Sequence, residues 1–188
     1  MVLCGIDEVG RGPLAGPVTA AAVAALPVSL DIGELADSKL MSRNERERVY
    51  MLLQKATVPA AVGWAWPEEI DSINIHRATL LAMRRAFVSM KAMYRLLIDR
   101  VLVDGKFAPD LGVKAVTVVG GDGIHPEIMA ASIVAKVTRD RWMTRYSWIE
   151  TEYGYDRHKG YPTPEHCRKC AELGPSPIQR LSFHVSAG

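Results

Sequence analysis

The chain has 188 residues and a mass of 20.7 kDa, with 48% hydrophobic and 23% charged residues. Those values describe one globular domain with a real core, and they exclude a disordered chain, a collagen-like chain and a disulfide-held miniprotein. The formal net charge of +2 is unevenly placed: residues 1–133 carry 14 Lys/Arg against 15 Asp/Glu, and residues 134–188 carry 9 against 6, a mild basic footprint for a polyanion in the C-terminal third.

Val2–Ile6 is a short apolar run that reads as a strand delivering Asp7 and Glu8 at its C-terminal end. Gly10, Gly12 and Pro13 mark a turn. The Ala/Val-rich segment Gly16–Leu26 reads as a second, buried strand, and residues 30–40 as irregular. The weakly polar stretch Leu14–Val28 falls short of the roughly 20 residues that cross a bilayer. No basic start precedes an apolar run at the N-terminus, so a cytoplasmic protein without a membrane partner is expected. Ser42 with Glu45 three residues on is a capping box opening a helix to about Lys55. Thr57–Trp66 reads as a third strand and Pro67–Asp71 as a turn or a single helical turn.

Asn74 to about Leu97 carries apolar residues at three-to-four spacing and predicts a long helix. Arg100–Asp104 and Val113–Val119 read as two more strands, followed by Asp104-Gly105 and Asp122-Gly123. Pro126 suits the first turn of a helix running toward Trp142, with a further helical stretch to Trp148. Gly154–Tyr161 reads as a polar loop. Thr163-Pro164 opens a last helix that Gly174-Pro175 stops. The early strands are joined without long helices, which favours antiparallel pairing. Helical crossovers follow and favour parallel pairing. The fold class is α/β, a mixed sheet covered by helices in one continuous domain. Three cysteines, Cys4, Cys167 and Cys170, do not form a disulfide framework; they read as thiols in a reducing compartment, with Cys4 in the core.

The informative feature is acidic. Asp7, Asp104 and Asp122 each follow an apolar strand, and Glu8 adjoins the first. The C-terminal ends of neighbouring strands in an α/β sheet converge on one crevice. Carboxylates gathered there repel one another unless cations or protons intervene. Hard oxygen ligands favour Mg2+ or Mn2+, and two such ions close together can activate water and stabilise a leaving oxygen at a phosphodiester. The plain alternative is that each Asp before Gly is a turn residue. Asp7 and Glu8 point to opposite faces of a regular strand, so the strand is expected to twist or end there for both to reach one ion.

Gly10-Arg11-Gly12 follows directly, and two glycines around an arginine let backbone amides approach a ligand while Arg11 reaches a phosphate. A tight turn with a solvated arginine is the alternative. Ser38 and Lys39 can hold a backbone phosphate or belong to a helix-entry loop. Ser132 and Lys136 share a helix face, with Arg139 three residues on, and that face can follow a phosphate strand. Arg157, His158 and Lys159 form a basic loop beside Tyr161, which can stack on a sugar or base.

In order along nearly the whole chain stand Gly5-Ile-Asp-Glu-Val-Gly-Arg-Gly-Pro-Leu-Ala-Gly-Pro-Val18, Asp37-Ser38-Lys39, Asn74-Ile75 and Ala78–Met83. They continue with Val103-Asp104-Gly105, Gly121-Asp122, Ala130–Asp140, His158-Lys159-Gly160-Tyr161 and Leu173–Pro177. With these motifs the chain resembles the bacterial ribonuclease HII family. The resemblance implies a ribonuclease H-like mixed five-stranded sheet flanked by helices, with residues about 141–188 forming a small helical substrate-binding part. It implies a monomeric endonuclease that cuts the RNA strand of RNA/DNA hybrids. It also implies nicking of duplex DNA 5′ of a lone ribonucleotide, leaving 3′-hydroxyl and 5′-phosphate ends.

Carried over by motif, Asp7, Glu8, Asp104 and Asp122 are the catalytic acids holding Mg2+ or Mn2+, two ions during catalysis. Gly10, Arg11 and Gly12 line the ribonucleotide, and Tyr161 packs on its sugar. Ser38, Lys39, Ser132 and Lys136 contact phosphates. Two departures stand out: Gly-Ile-His125-Pro-Glu after Asp122, and a tail reading Ile178-Gln179-Arg180-Leu181-Ser182-Phe183-His184 where His-Arg-Arg-Ser-Phe is commoner, a change expected to drop a basic contact. Another two-metal nuclease of this fold acting on DNA, and a non-catalytic hybrid-binding module, are the alternatives.

Overall fold

The computed structural model describes residues 2–27 and 41–183. Strands β1 (Leu3–Val9), β2 (Val18–Ala24), β3 (Ala60–Ala65), β4 (Arg100–Asp104) and β5 (Ala115–Val118) form one sheet in the order β3-β2-β1-β4-β5. β1 pairs antiparallel with β2 and parallel with β4; β2–β3 is antiparallel and β4–β5 parallel. The mixed pairing follows from the connections. β2 returns through a short loop, whereas β4 is reached through the helix α2 (Pro67–Tyr94).

Alternation along the strands supplies two apolar faces. Ile6, Ala20, Ala22 and Val103 pack with Ala82, Met83 and Phe87 of α2. Ala21 and Val23 pack on the other side with Val49 and Leu53 of α1 (Arg43–Lys55) and with Ile133 and Val137 of α3 (Pro126–Tyr146). Small residues bring these layers close. A Cβ on Gly63 would lie 2.1 Å from the Ala82 carbonyl oxygen, and one on Gly5 would lie 2.2 Å from the Glu127 carbonyl carbon. α3 therefore crosses directly over β1, and this sets Ser132 and Lys136 beside the end of that strand.

Helix starts are chemically marked. Ser42 Oγ accepts from the Glu45 N–H at 3.3 Å and the Glu45 carboxylate accepts from the Ser42 N–H at 2.7 Å, the capping box expected for α1. Thr163 caps α5 (Pro164–Leu173) by accepting from the His166 N–H at 3.2 Å. Three elements differ from expectation. β1 continues through Asp7 and Glu8 to Val9 because both acids still pair with β2, opposite Ala21 and Ala20. Pro67–Asp71 is the first part of α2, and Asn74 (φ 66°, ψ 163°) breaks that helix, its Oδ1 capping the second part through the Arg77 N–H at 3.1 Å. The Gly154–Tyr161 segment contains a short helix, α4 (Tyr155–His158).

Tyr153, Tyr155 of α4 and Ile178 pack together with Ala15 and Met143, and His166 of α5 meets the Tyr155 ring at 5.5 Å. Burial pushes the Cys4 thiol up to about 12, as befits a core residue. Cys4, Cys167 and Cys170 are free thiols. Among the described residues, no helix is long and apolar enough to cross a membrane.

Candidate active site

Ile6 of β1 is in register with Val103 of β4, so the next position on each strand is Asp7 and Asp104. Parallel neighbours in register project to the same side. Two carboxylates thus stand together at the C-terminal ends of the two central strands. Asp7 is only 4% exposed. Its Oδ1 accepts from the Glu8 N–H at 2.7 Å, and the Ser132 hydroxyl also bonds to it. Burial, followed by the charge of Glu8, holds the Asp7 carboxyl well above the ordinary carboxylate range; the Ser132 bond opposes this and Asp104 adds to it. Burial also raises Glu8, against the pull of Arg11, whose Nη1 lies 3.4 Å from Glu8 Oε1. Asp104 Oδ1 accepts from the Gly121 N–H at 2.7 Å.

Asp7, Glu8 and Asp104 line one cleft of about 560 Å³ with Gly10, Arg11 and Gly12, Ser132 and Lys136 of α3, and Tyr161. Glu8 and Asp104 also face a smaller recess on the α2 side with His76 and Thr79. β1 stays paired with β2 through Val9, and Glu8 lines both the cleft shared with Asp7 and the recess on the α2 side. Asp122 is buried at 4% in the turn Gly121–Gly123 ahead of α3 and is not part of the cleft lining. Its neighbour Gly121 is the residue that holds Asp104. Among the described residues, no three His, Cys, Asp or Glu side chains are grouped to hold a metal ion as they stand. Asp7 is turned to Ser132 and its own backbone, Glu8 to Arg11, and Asp104 to Gly121. The donor set is nevertheless all hard carboxylate oxygen, with burial making its charge unfavourable, and that chemistry fits Mg2+ or Mn2+.

Gly10 (φ 88°) occupies a left-handed conformation, and a Cβ there would lie 2.3 Å from Arg139 Nε. Gly12 faces the Tyr161 ring, whose Cε1 would be 4.0 Å from an added Cβ. Lys136 Nζ sits 5.8 Å and Arg139 Cζ 5.9 Å from the centre of that ring. Lys136 is also paired with Asp140 at 3.0 Å.

Several sequence expectations are corrected. Arg139 does not follow a phosphate strand. It is fully buried, with Nε donating to the Pro17 carbonyl at 2.9 Å, Nη1 to Lys159 at 3.0 Å and Nη2 to Ala15 at 3.2 Å. Arg157, His158 and Lys159 are not an open basic loop: Arg157 pairs with Glu165, His158 Nε2 meets the Tyr153 carbonyl at 2.8 Å, and Lys159 Nζ donates to the Asp156 carbonyl. In the departing tail, Gln179 is buried with its amide oxygen near Cys170 Sγ, Arg180 is buried, and Leu181 is exposed. Ser38 and Lys39 lie outside the described residues. Two residues were missed. Arg46 of α1 lines the cleft, and Arg180, fully buried, donates to the glycine loop. A run of arginines at the start of α1 was the available signal for the first; the tail motif that contains Arg180 was the signal for the second, but it does not say which groups the side chain meets.

Strand order, pairing and the acid-bearing ends of β1 and β4 define a ribonuclease H-like α/β fold. The family model described as Ribonuclease HII matches residues 4–186. The ribonuclease HII of Treponema denticola is 48% identical over 198 residues, covering 98% of each chain. That of Dichelobacter nodosus is 43% identical over 182 residues, covering 97% of this chain and 94% of its own. Among solved structures, the ribonuclease H2 of Pyrococcus horikoshii superposes with a TM-score of 0.74 at 24% identity, over 98% of this chain and 95% of that one. Bst-RNase HIII in complex with Mn2+ gives 0.76 at 18% identity, over 98% and 68%. The chain belongs to the ribonuclease HII family. It is accordingly an endoribonuclease of the ribonuclease H type.

Proposed function

We propose that this protein hydrolyses the RNA strand of RNA/DNA hybrids and nicks duplex DNA on the 5′ side of single embedded ribonucleotides, leaving 3′-hydroxyl and 5′-phosphate ends. The observation that carries the reading is the pairing of Asp7 and Asp104 at the ends of adjacent parallel strands, in one cleft with Gly10, Arg11, Gly12 and Tyr161. In this reading Asp7, Glu8, Asp104 and Asp122 hold divalent cations, Mg2+ or Mn2+ and two during turnover. Bound there, the ions supply the Lewis acidity that activates water and offsets charge at the phosphate.

The protein's own contribution is placement. Arg11 leaves Glu8 for a phosphate oxygen when the cleft fills. Ser132 and Lys136 hold the strand on the 5′ and 3′ sides of the reacting phosphate, joined by Ser38 and Lys39 from outside the described residues. Backbone groups of Gly10–Gly12 bond the 2′-hydroxyl, and Tyr161 packs on the sugar, so that a deoxyribonucleotide leaves those groups unpaired. Water attacks phosphorus in line with the bond to the upstream 3′-oxygen, giving up its proton to solvent as that bond breaks and the departing oxygen takes a proton from solvent. The 2′-hydroxyl is recognised and does not attack. In this reading the part that begins at about residue 141 supports the Tyr161 side of the cleft.

Mapping the cut site on duplexes with no, one and several ribonucleotides, with analysis of both product ends, tests this. Cleavage 5′ of the ribonucleotide with a 5′-phosphate product is expected. A 2′,3′-cyclic phosphate, or cleavage of the all-DNA duplex alone, overturns it.

A further inference from the structure

The glycine loop is held from beneath by a part of the chain 170 residues away. Arg180 is fully buried, and its guanidinium donates from Nη2 to the Gly10 carbonyl at 2.6 Å, from Nη1 to the Arg11 carbonyl at 3.0 Å and from Nε to the Gly16 carbonyl at 2.9 Å. Backbone bonds flank it on both sides: Gly16 N–H to the Ile178 carbonyl and Arg180 N–H to the Leu14 carbonyl, each at 2.8 Å. Beyond it, Asp71 of α2 accepts from the Leu181 N–H at 2.8 Å, from the Ser182 N–H at 2.9 Å and from the Ser182 hydroxyl. The segment Ile178–Ser182 is thus stitched to the loop on one side and to α2 on the other.

The direction of these bonds matters. In a trans peptide the C=O and the N–H of one unit point opposite ways. The Gly10 carbonyl shares a peptide with the Arg11 N–H, and the Arg11 carbonyl shares one with the Gly12 N–H. Drawing both carbonyls onto Arg180 turns both N–H groups away from it, on the loop that lines the cleft. Burying a guanidinium with no carboxylate partner is costly. Arg180 makes no ion pair with a described carboxylate, and burial together with the charge of Arg139 pushes it down to about 9. A buried cation kept at such cost, with its fork spent on three carbonyls of one loop, fits a role that lysine cannot copy.

We propose that Arg180 is the positioning residue of the ribose-reading loop: it fixes the Arg11 and Gly12 amides toward the cleft and so sets discrimination for the 2′-hydroxyl, with Asp71 as its latch. This rests on the reading of the cleft given above. Arg180 touches no substrate; it acts through the backbone it holds.

Arg180→Lys keeps the charge and removes the fork, and Asp71→Ala releases the latch at a distance from the cleft. Each is compared with the wild type on a single-ribonucleotide duplex and on an RNA/DNA hybrid, with Mn2+. Amide hydrogen exchange at residues 11 and 12 is followed in parallel. In Arg180→Lys the turnover number on the single-ribonucleotide duplex should fall by about tenfold or more, the scale on which a small misplacement acts. Turnover on the hybrid should fall less, because several ribonucleotides offer alternative registers. The Mn2+ titration midpoint should stay fixed, and the Arg11 and Gly12 amides should exchange about tenfold faster. Asp71→Ala should change the same quantities in the same direction by less, and it carries the test if Arg180→Lys does not fold. Equal fractional losses on both substrates, or unchanged exchange at residues 11 and 12, overturn the proposal. A wild type that ignores ribonucleotides while the variants still loosen those amides overturns the reading of the cleft and leaves the clasp standing.

Discussion

Arg139 Nε lies where a side chain on residue 10 would begin: a Cβ on Gly10 would be 2.3 Å from it. The same guanidinium holds the carbonyls of Ala15, Pro17 and Lys159, so it has no room to retreat. Gly10→Ala therefore meets both a clash and a φ of 88° that L side chains rarely adopt. A loss of stability of about 1–3 kcal/mol is expected, with cleavage reduced further than stability. Thermal unfolding and initial rates on one preparation check this; wild-type values for both would mean that the loop relaxes freely.

Asp104→Asn keeps the shape of the side chain and its bond from Gly121 while removing one charge beside Asp7. Cleavage should fall by about a thousandfold or more, as when one member of a catalytic unit is removed. The thermal midpoint should hold or rise, because repulsion on the buried Asp7 carboxyl is relieved. Hybrid binding should persist. Wild-type rates with Mg2+ or Mn2+ would remove Asp104 from the catalytic set.

Tyr161→Ala takes away a ring that faces Gly12 and lies near Lys136 and Arg139. Cleavage at a DNA–ribonucleotide junction should weaken by about tenfold, with a smaller change in affinity for a hybrid. Parallel losses in a binding titration and a junction assay would make the ring a packing residue only.

His158 and His166 stack at 4.3 Å between their ring centres. Burial lowers both from the ordinary value of 6.5. Their folded-state values lie below the unfolded one, so between the two the unfolded chain binds more protons. Stability should fall as pH drops below 6.5 and level off beneath the folded values. Asp7 and Glu8 work in the opposite sense, stabilising in acid and losing that contribution as pH rises through their raised values. The two effects are separated by His166→Phe, which should flatten the slope of thermal midpoint against pH near 6. An unchanged slope would show that these rings titrate normally.

The sheet and its acids were readable because apolar runs ending in Asp and Glu are a local pattern. β4 and α1 fall where the residues place them, the latter through the reciprocal Ser42–Glu45 bonds. What was hidden depends on distant backbone. Arg139 looks like one more cation on a basic helix face, and only the folded chain reveals that its partners are carbonyls at 15, 17 and 159. α4 was read as a loop because a four-residue helix entered through Gly154 (φ 76°) has too few residues for a periodicity. The paired orientation of Asp7 and Glu8 was legible. Less so was the recess on the α2 side, which Glu8 and Asp104 share with His76 and Thr79.

The stitching of Ile178–Ser182 onto residues 10–16 also has a consequence for the timing of synthesis. On the ribosome, the acids of β1 and β4 emerge long before residue 180 does. A nascent chain can build its sheet, but the segment that pins the turn at residues 10–16 is translated later than every strand. The loop and the segment that pins it are thus brought together only after the sheet residues between them have been made.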